Sequence, residues 1–191
     1  MFIIFFMKIM PLLESYHLDD TLNCLQGPTK EQMKVWNQWA ATALNIYHEN
    51  SNSPIEFVLD DAVYKCKIHW DSDFPNAAMK ERKELASQGG ISLACFKMSV
   101  LLKFEYVIQT EIGSGVDYMF LKRVPDNENF IENYNYVEVS GLLEEKGTNT
   151  LLNRLKDKHQ QIEEGSKRTC KSSVIVTLFA QPKSIRETHH D

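Results

Sequence analysis

Two stretches decide how this chain reads: EYVIQTEIGSGVDYMFLKRV at 105–124 and YVEVSGLL at 136–143. The first holds two apolar runs on either side of Gly113-Ser114-Gly115, a turn sequence, and predicts two strands joined as a hairpin. The second predicts a third strand, reached through the polar loop PDNENFIENYN at 125–135. Asp117 opens the second of these strands and Glu138 lies inside the third. Both strands otherwise belong to a core, where an unpaired carboxylate is costly to bury. A divalent cation shared by the two acids is one arrangement that would pair them.

The flanking sequence supplies the layers. Upstream, ISLACFKMSVLLKF at 91–104 is apolar nearly all round and predicts a buried helix. It follows the charged stretch DSDFPNAAMKERKELASQGG at 71–90, whose Gly pair is expected to stop or bend what precedes it. Downstream, TNTLLNRLKDKHQQIEEG at 148–165 puts Leu151, Leu152, Leu155 and Ile162 on one helical face and ends at Gly165. SSVIVTLFAQP at 172–182 is a β-branched run suited to a strand covered on both faces. The order from residue 91 is helix, strand, strand, strand, helix, strand. This predicts an α/β fold with a mixed sheet, in which three strands form an antiparallel meander and the last joins after a helical crossover.

Residues 1–75 read as an annex to a core at 76–191, the two forming one compact unit. In the annex, TKEQMKVWNQWAATALNIYHEN at 29–50 predicts a helix capped by Thr29, with Val35, Trp36, Trp39, Ala43, Ile46 and Tyr47 at apolar spacing. PIEFVLDDAVYKCKIHW at 54–70 alternates on both sides of a turn at Asp60-Asp61 and predicts a β-hairpin closed by His69 and Trp70. The opening MFIIFFMKIMPLL lacks a basic leader and a small-residue cleavage site, and its apolar run is too short to span a bilayer; it reads as a buried strand, or as an upstream extension if translation begins at Met7. The final THHD reads as a frayed tail.

Composition restricts function. The 191 residues are 43% hydrophobic with a formal net charge of −5, so phosphate binding must use a local basic patch. Arg154, Lys156, Lys158, Lys167, Arg168 and Lys171 outnumber Asp157, Glu163 and Glu164 in the only segment with such a bias. Cys24, Cys66, Cys95 and Cys170 are widely spaced, which suits free buried thiols rather than a zinc site. No stretch is long enough to cross a membrane, and the cytoplasm is the expected location. Ser114 has no following helix, which excludes a nucleophile elbow, and a strand after GSG excludes a phosphate loop.

The αβββαβ order, with Asp117 opening the second strand and Glu138 inside the third, resembles the core of the PD-(D/E)xK nuclease superfamily, the restriction-endonuclease-like fold. The resemblance covers about residues 91–182, and the local form GSGVDY…VEVSG is similar to small prokaryotic proteins. It implies a nuclease that hydrolyses phosphodiester bonds in nucleic acid, DNA more than RNA, with Mg²⁺ or Mn²⁺ as cofactor and Asp117 and Glu138 as ligands. The Val139 carbonyl is a candidate third oxygen. Glu111 is either a third carboxylate or a solvated turn residue. Proteins of this class also work as homodimers or in complexes with other proteins.

The chain departs from the family pattern where a Lys is expected two residues after the Glu: it has Ser140. Lys156 and Lys158 on the following helix flank its apolar face from opposite sides, and either can take that role. Arg154, Gln160 and Gln161 beside them, with Ser140, are candidate substrate contacts. All of these also read as the ordinary polar face of an amphipathic helix. The missing Lys motivates a second reading, a catalytically inactive member of the fold acting as a binding or structural subunit. In a third, the carboxylates are incidental to an unrelated α/β domain.

Overall fold

In the computed structural model, residues 14–76, 78–122 and 133–189 are described. The strand expected in 1–13, most of the loop expected at 125–135 and the last two residues lie outside them. Apolar alternation on either side of GSG produces β4 (Tyr106–Gln109) and β5 (Tyr118–Leu121), and YVEVSGLL falls in β6 (Tyr134–Leu142). These three pair antiparallel as a meander. The helix α4 (Leu151–Glu164), with Thr150 accepting from the Asn153 N–H at its start, crosses over to β7 (Ser172–Leu178), which lies parallel to β6.

The chain does not fray after β7. Residues Lys183–His189 form β8, antiparallel to β7, contrary to the tail expected at Thr188 and His189. The sequence KSIRETH is too polar to announce a strand, and neighbours on both sides make it one. Its second neighbour is β2 (Asn52–Leu59), which pairs with β8 in parallel and with β3 (Ala62–His69) antiparallel. The expected hairpin thus joins the meander in one eight-stranded mixed sheet of order β1-β3-β2-β8-β7-β6-β5-β4, with β1 (Glu14–His17) at the far edge. Asp60, in the hairpin turn at φ 49°, accepts from the Thr188 N–H and from Arg186 Nη1, each at 2.7 Å, and so ties turn to strand.

Helices cover both faces. A short helix, α1 (Thr21–Cys24), precedes α2 (Lys30–Asn45), which is capped as expected by Thr29, whose hydroxyl accepts from the Gln32 N–H. The α2 apolar face differs from the expected one: Val35 and Ile46 are exposed, while Met33, Trp36, Ala40, Ala41 and Leu44 are buried. The next helix, α3 (Arg82–Phe96), continues as a π-helical turn at Lys97–Leu101. It runs straight through Gly89-Gly90, where a stop or bend was expected. Those glycines permit close approach: a Cβ on Gly89 would lie 2.9 Å from the Phe179 ring and 3.2 Å from Ala40 Cα, and one on Gly90 would lie 3.1 Å from the Gly141 nitrogen. Gly141 on β6 is tighter still, since its Cβ would lie 1.8 Å from the Ala86 carbonyl oxygen.

On this face Met33, Trp36, Ala94, Cys95 and Met98 pack against Tyr118, Phe120, Val137, Val139 and Ile175. On the opposite face Leu151, Leu155 and Ile162 of α4 pack on Leu142, Val174, Val176 and Leu178. Cys66 and Cys95 are buried as expected, whereas Cys24 on the short α1 is exposed and Cys170 is half-buried; all four are free thiols. Among the described residues no helix is long and apolar enough to cross a membrane.

Because the atoms that a Gly141 side chain would meet are backbone, they cannot rotate away, and Gly141→Ala should destabilise the protein by about 3 kcal/mol. The midpoint of urea unfolding measures this; an unchanged midpoint would show that α3 is not seated directly on β6.

Candidate functional site

The site begins where β5 runs out. The Asp117 N–H donates to the Val137 carbonyl at 3.0 Å, and Asp117 Oδ2 accepts from the Val139 N–H at 2.8 Å. The carboxylate therefore takes the place of the next strand residue, and the edge of β6 beyond it has no strand partner among the described residues. A residue's N–H and C=O point to the same edge of its strand, so the Val139 carbonyl faces that open edge with its N–H. Glu138 points to the other side of the pleat, toward α4, and its side chain is only 1% exposed.

Lys158, one turn before the last residues of α4, reaches down to this carboxylate, with Nζ 2.5 Å from Glu138 Oε1 and 2.9 Å from Gln161 Oε1. Glu138 Oε2 is buried with no hydrogen-bond partner among the described residues. Burial pushes the Glu138 carboxyl up to about 7, the nearby Asp117 charge and a hydrogen bond that only the protonated carboxyl can donate to Asp117 push the same way, and Lys158 opposes them without winning. The group therefore exchanges a proton near neutral pH, and a cation beside Oε2 would draw that proton off.

Backbone contact fixes α4 over the pair. A Cβ on Gly115 would lie 2.8 Å from the Gln161 carbonyl oxygen, and one on Gly165 would lie 2.3 Å from the Ser114 carbonyl oxygen. The GSG turn is thus pressed against the end of the helix that carries Lys158 and Gln161. Beside them opens a cleft of about 520 Å³ whose walls include Asp117, Val139, Ser140, Arg154 and Lys158, together with Arg82, Lys83 and Lys146. Arg154 donates to Asn149 Oδ1 at 2.8 Å, and Arg82 bridges to Glu144 Oε1 at 2.7 Å.

The expected residues therefore divide. Asp117, Glu138, Lys158 and Gln161 come together, with Val139, Ser140 and Arg154 in the cleft wall. Lys156 is exposed, and Gln160 donates to Glu164 at 2.9 Å along the outside of α4. Glu111 is exposed and lines a different cleft on the far side of the GSG turn, with Lys167, so it is not a third acid at Asp117 and Glu138. Among the described residues no group of three or more His, Cys, Asp or Glu side chains is placed to hold a metal ion. Arg82, Lys83 and Lys146 were not anticipated: they lie in charged stretches whose only local meaning is solvation, and topology alone brings them to one cleft. No family model, no curated protein and no solved structure matches this chain.

The raised Glu138 value has a stability consequence of definite sign. Between its ordinary value of 4.5 and about 7 the folded carboxyl keeps a proton that the unfolded chain releases. Stability should then fall as pH rises through this window and level off above it, by at most about 3 kcal/mol for a shift of this size. Glu138→Gln mimics the neutral form and still accepts from Lys158. Its melting temperature should exceed that of wild type at pH 8 in chelator and match it at pH 4.5; equal melting at both pH values would contradict the raised value.

Proposed function

We propose that this protein hydrolyses phosphodiester bonds in nucleic acid, DNA more than RNA, using Mg²⁺ or Mn²⁺ held by Asp117 and Glu138. The observation that carries this reading is the buried pairing of Glu138 with Asp117: the neutral carboxyl shares its proton with Asp117, and once Glu138 ionises no donor among the described residues reaches Oε2, while Lys158 is on the other oxygen. A buried acceptor without a donor is a deficit that a cation would offset. Mg²⁺ binds through one or two carboxylates and completes its shell with water and phosphate oxygens, so the absence of a third acid does not count against the fit. When bound, such an ion polarises the phosphoryl group and lowers the pKa of an attacking water.

The chain's own residues supply the rest. Lys158 holds Glu138 Oε1 and leaves Oε2 aimed away from it, and its ammonium brings the positive charge that Ser140 cannot. Arg82, Lys83, Lys146 and Arg154 make the cleft locally basic in a chain of net charge −5 and favour the approach of a phosphate backbone. Asp117 has one oxygen committed to the Val139 N–H, which fixes the orientation of the carboxylate. A second reading, a non-catalytic binding or structural subunit, is favoured by Ser140 and by the ammonium already seated on Glu138.

Incubation with labelled single-stranded and duplex DNA and RNA, in Mg²⁺, Mn²⁺ or chelator, separates the two. Hydrolysis should require the ion, fall about 100-fold or more in Asp117→Asn and Glu138→Gln, fall about 10-fold or more in Lys158→Ala, and persist in Lys156→Ala. Millimolar Mn²⁺ should raise the wild-type melting temperature and leave that of Asp117→Asn unchanged. A wild-type melt indifferent to both ions, with no cleavage of any substrate, would leave the non-catalytic reading standing.

A further inference from the structure

Among the described residues, the part of the sheet face beyond the end of α4 carries a second feature. Tyr134, Tyr136 and Glu138 alternate onto one side of β6, so the two tyrosines continue the row that leads to the buried carboxylate. Their rings meet edge to face, with centroids 5.4 Å apart and planes at 72°. The helix covers them only in part: Tyr136 packs at the margin of the cluster that includes Leu155 and Ile162, and beyond it the Gly165 backbone is pressed onto Ser114 and Gly115. The chain then turns, with the Lys167 N–H donating to the Ser114 carbonyl at 3.1 Å.

This places Lys167 Nζ 5.3 Å from the centre of the Tyr136 ring. Both line a cavity of about 540 Å³, together with Ile108, Met119 and Ser166, that shares no lining residue with the carboxylate cleft. Ile108 is 51% exposed, and Arg168 and Lys171, both exposed, follow Lys167 in the same loop. Glu111 is the one acid among the lining residues.

We infer that this cavity is a base-stacking subsite for single-stranded nucleic acid, with the Tyr136 ring as the platform and Lys167, Arg168 and Lys171 as the backbone contacts. The inference deepens the nuclease reading and rests on it for the class of ligand. An aromatic ring flanked by cations is the pairing that single strands require, since stacking takes any base and the charges follow the phosphates. A base stacked on tyrosine is held more strongly than an exposed cation–π contact, so an incoming base displaces the Lys167 ammonium and frees it for a phosphate. Paired bases in a duplex are stacked on one another and cannot use the platform. The strand then crosses the Gly115–Gly165 contact toward Asp117.

Fluorescence anisotropy with labelled oligothymidylate of about fifteen nucleotides, in chelator so that no cleavage occurs, tests this on the full chain. Wild type should bind the single strand more tightly than a duplex of equal length. Tyr136→Leu should weaken single-strand binding about tenfold or more, and Tyr136→Phe should retain it within about twofold. Lys167→Glu, a surface change that does not depend on how Tyr136→Leu folds, should weaken it about threefold or more. Tighter binding of the duplex, or unchanged affinity in Lys167→Glu or in a normally melting Tyr136→Leu, would overturn the inference. Tyr136-dependent binding without any ion-dependent cleavage would instead remove the hydrolase reading and leave the subsite intact.

Discussion

The contact on which the rest depends is the Gly141 backbone lying against the Ala86 carbonyl, where no side chain separates α3 from β6. On the opposite side, Gly115 and Gly165 bring the GSG turn onto the end of α4 in the same way. Glu138 lies on the strand held by the first contact and under the helix held by the second. Backbone against backbone leaves no rotamer through which either layer can adjust, so the separation of α4 from β6, across which Lys158 reaches Glu138, is set by the fold.

Among the described residues one lysine and one acid are buried, and they are handled in opposite ways. Lys97, in the π-helical turn after α3, donates to the Ser184 carbonyl at 2.8 Å and lies over the Phe57 ring, and burial holds its pKa well below the ordinary lysine value. It is closed in by core side chains, and its one hydrogen bond joins helix to sheet. Glu138 is as deeply buried, but one of its oxygens has no donor and its neighbours open onto a basic cleft. The lysine is part of the architecture, whereas the acid is placed where its proton can be exchanged beside a cleft.

The sheet is continuous only through β8. Without it the hairpin of β2 and β3 would have no hydrogen-bonded route to β7, and the clamp of Asp60 on Arg186 and the Thr188 N–H would have nothing to hold. The N-terminal segment that reads as an annex is thereby part of the same sheet as the carboxylate strands. Its helix α2 reaches the site as well, through Trp36, whose ring meets that of Tyr118 edge to face at 6.2 Å, beside Asp117.

What the amino-acid sequence determined by itself was local and periodic: the meander around GSG, the capped α2, α4 with its Leu151/Leu155/Ile162 face, the covered strand at β7, and two carboxylates anomalous enough on apolar strands to mark the site. Each is written within one element, where alternation and helical spacing act. The tertiary structure decided the rest. It drew the polar KSIRETH into a strand because both neighbours offered hydrogen bonds, and it carried a helix through Gly89-Gly90 because a sheet and a second helix needed that space. It chose Lys158 over Lys156, two residues apart and so on opposite flanks of α4. It gathered Arg82, Lys83 and Lys146 to the Asp117 cleft from segments with no common pattern. These outcomes depend on which surfaces meet, and no spacing within a single element records that.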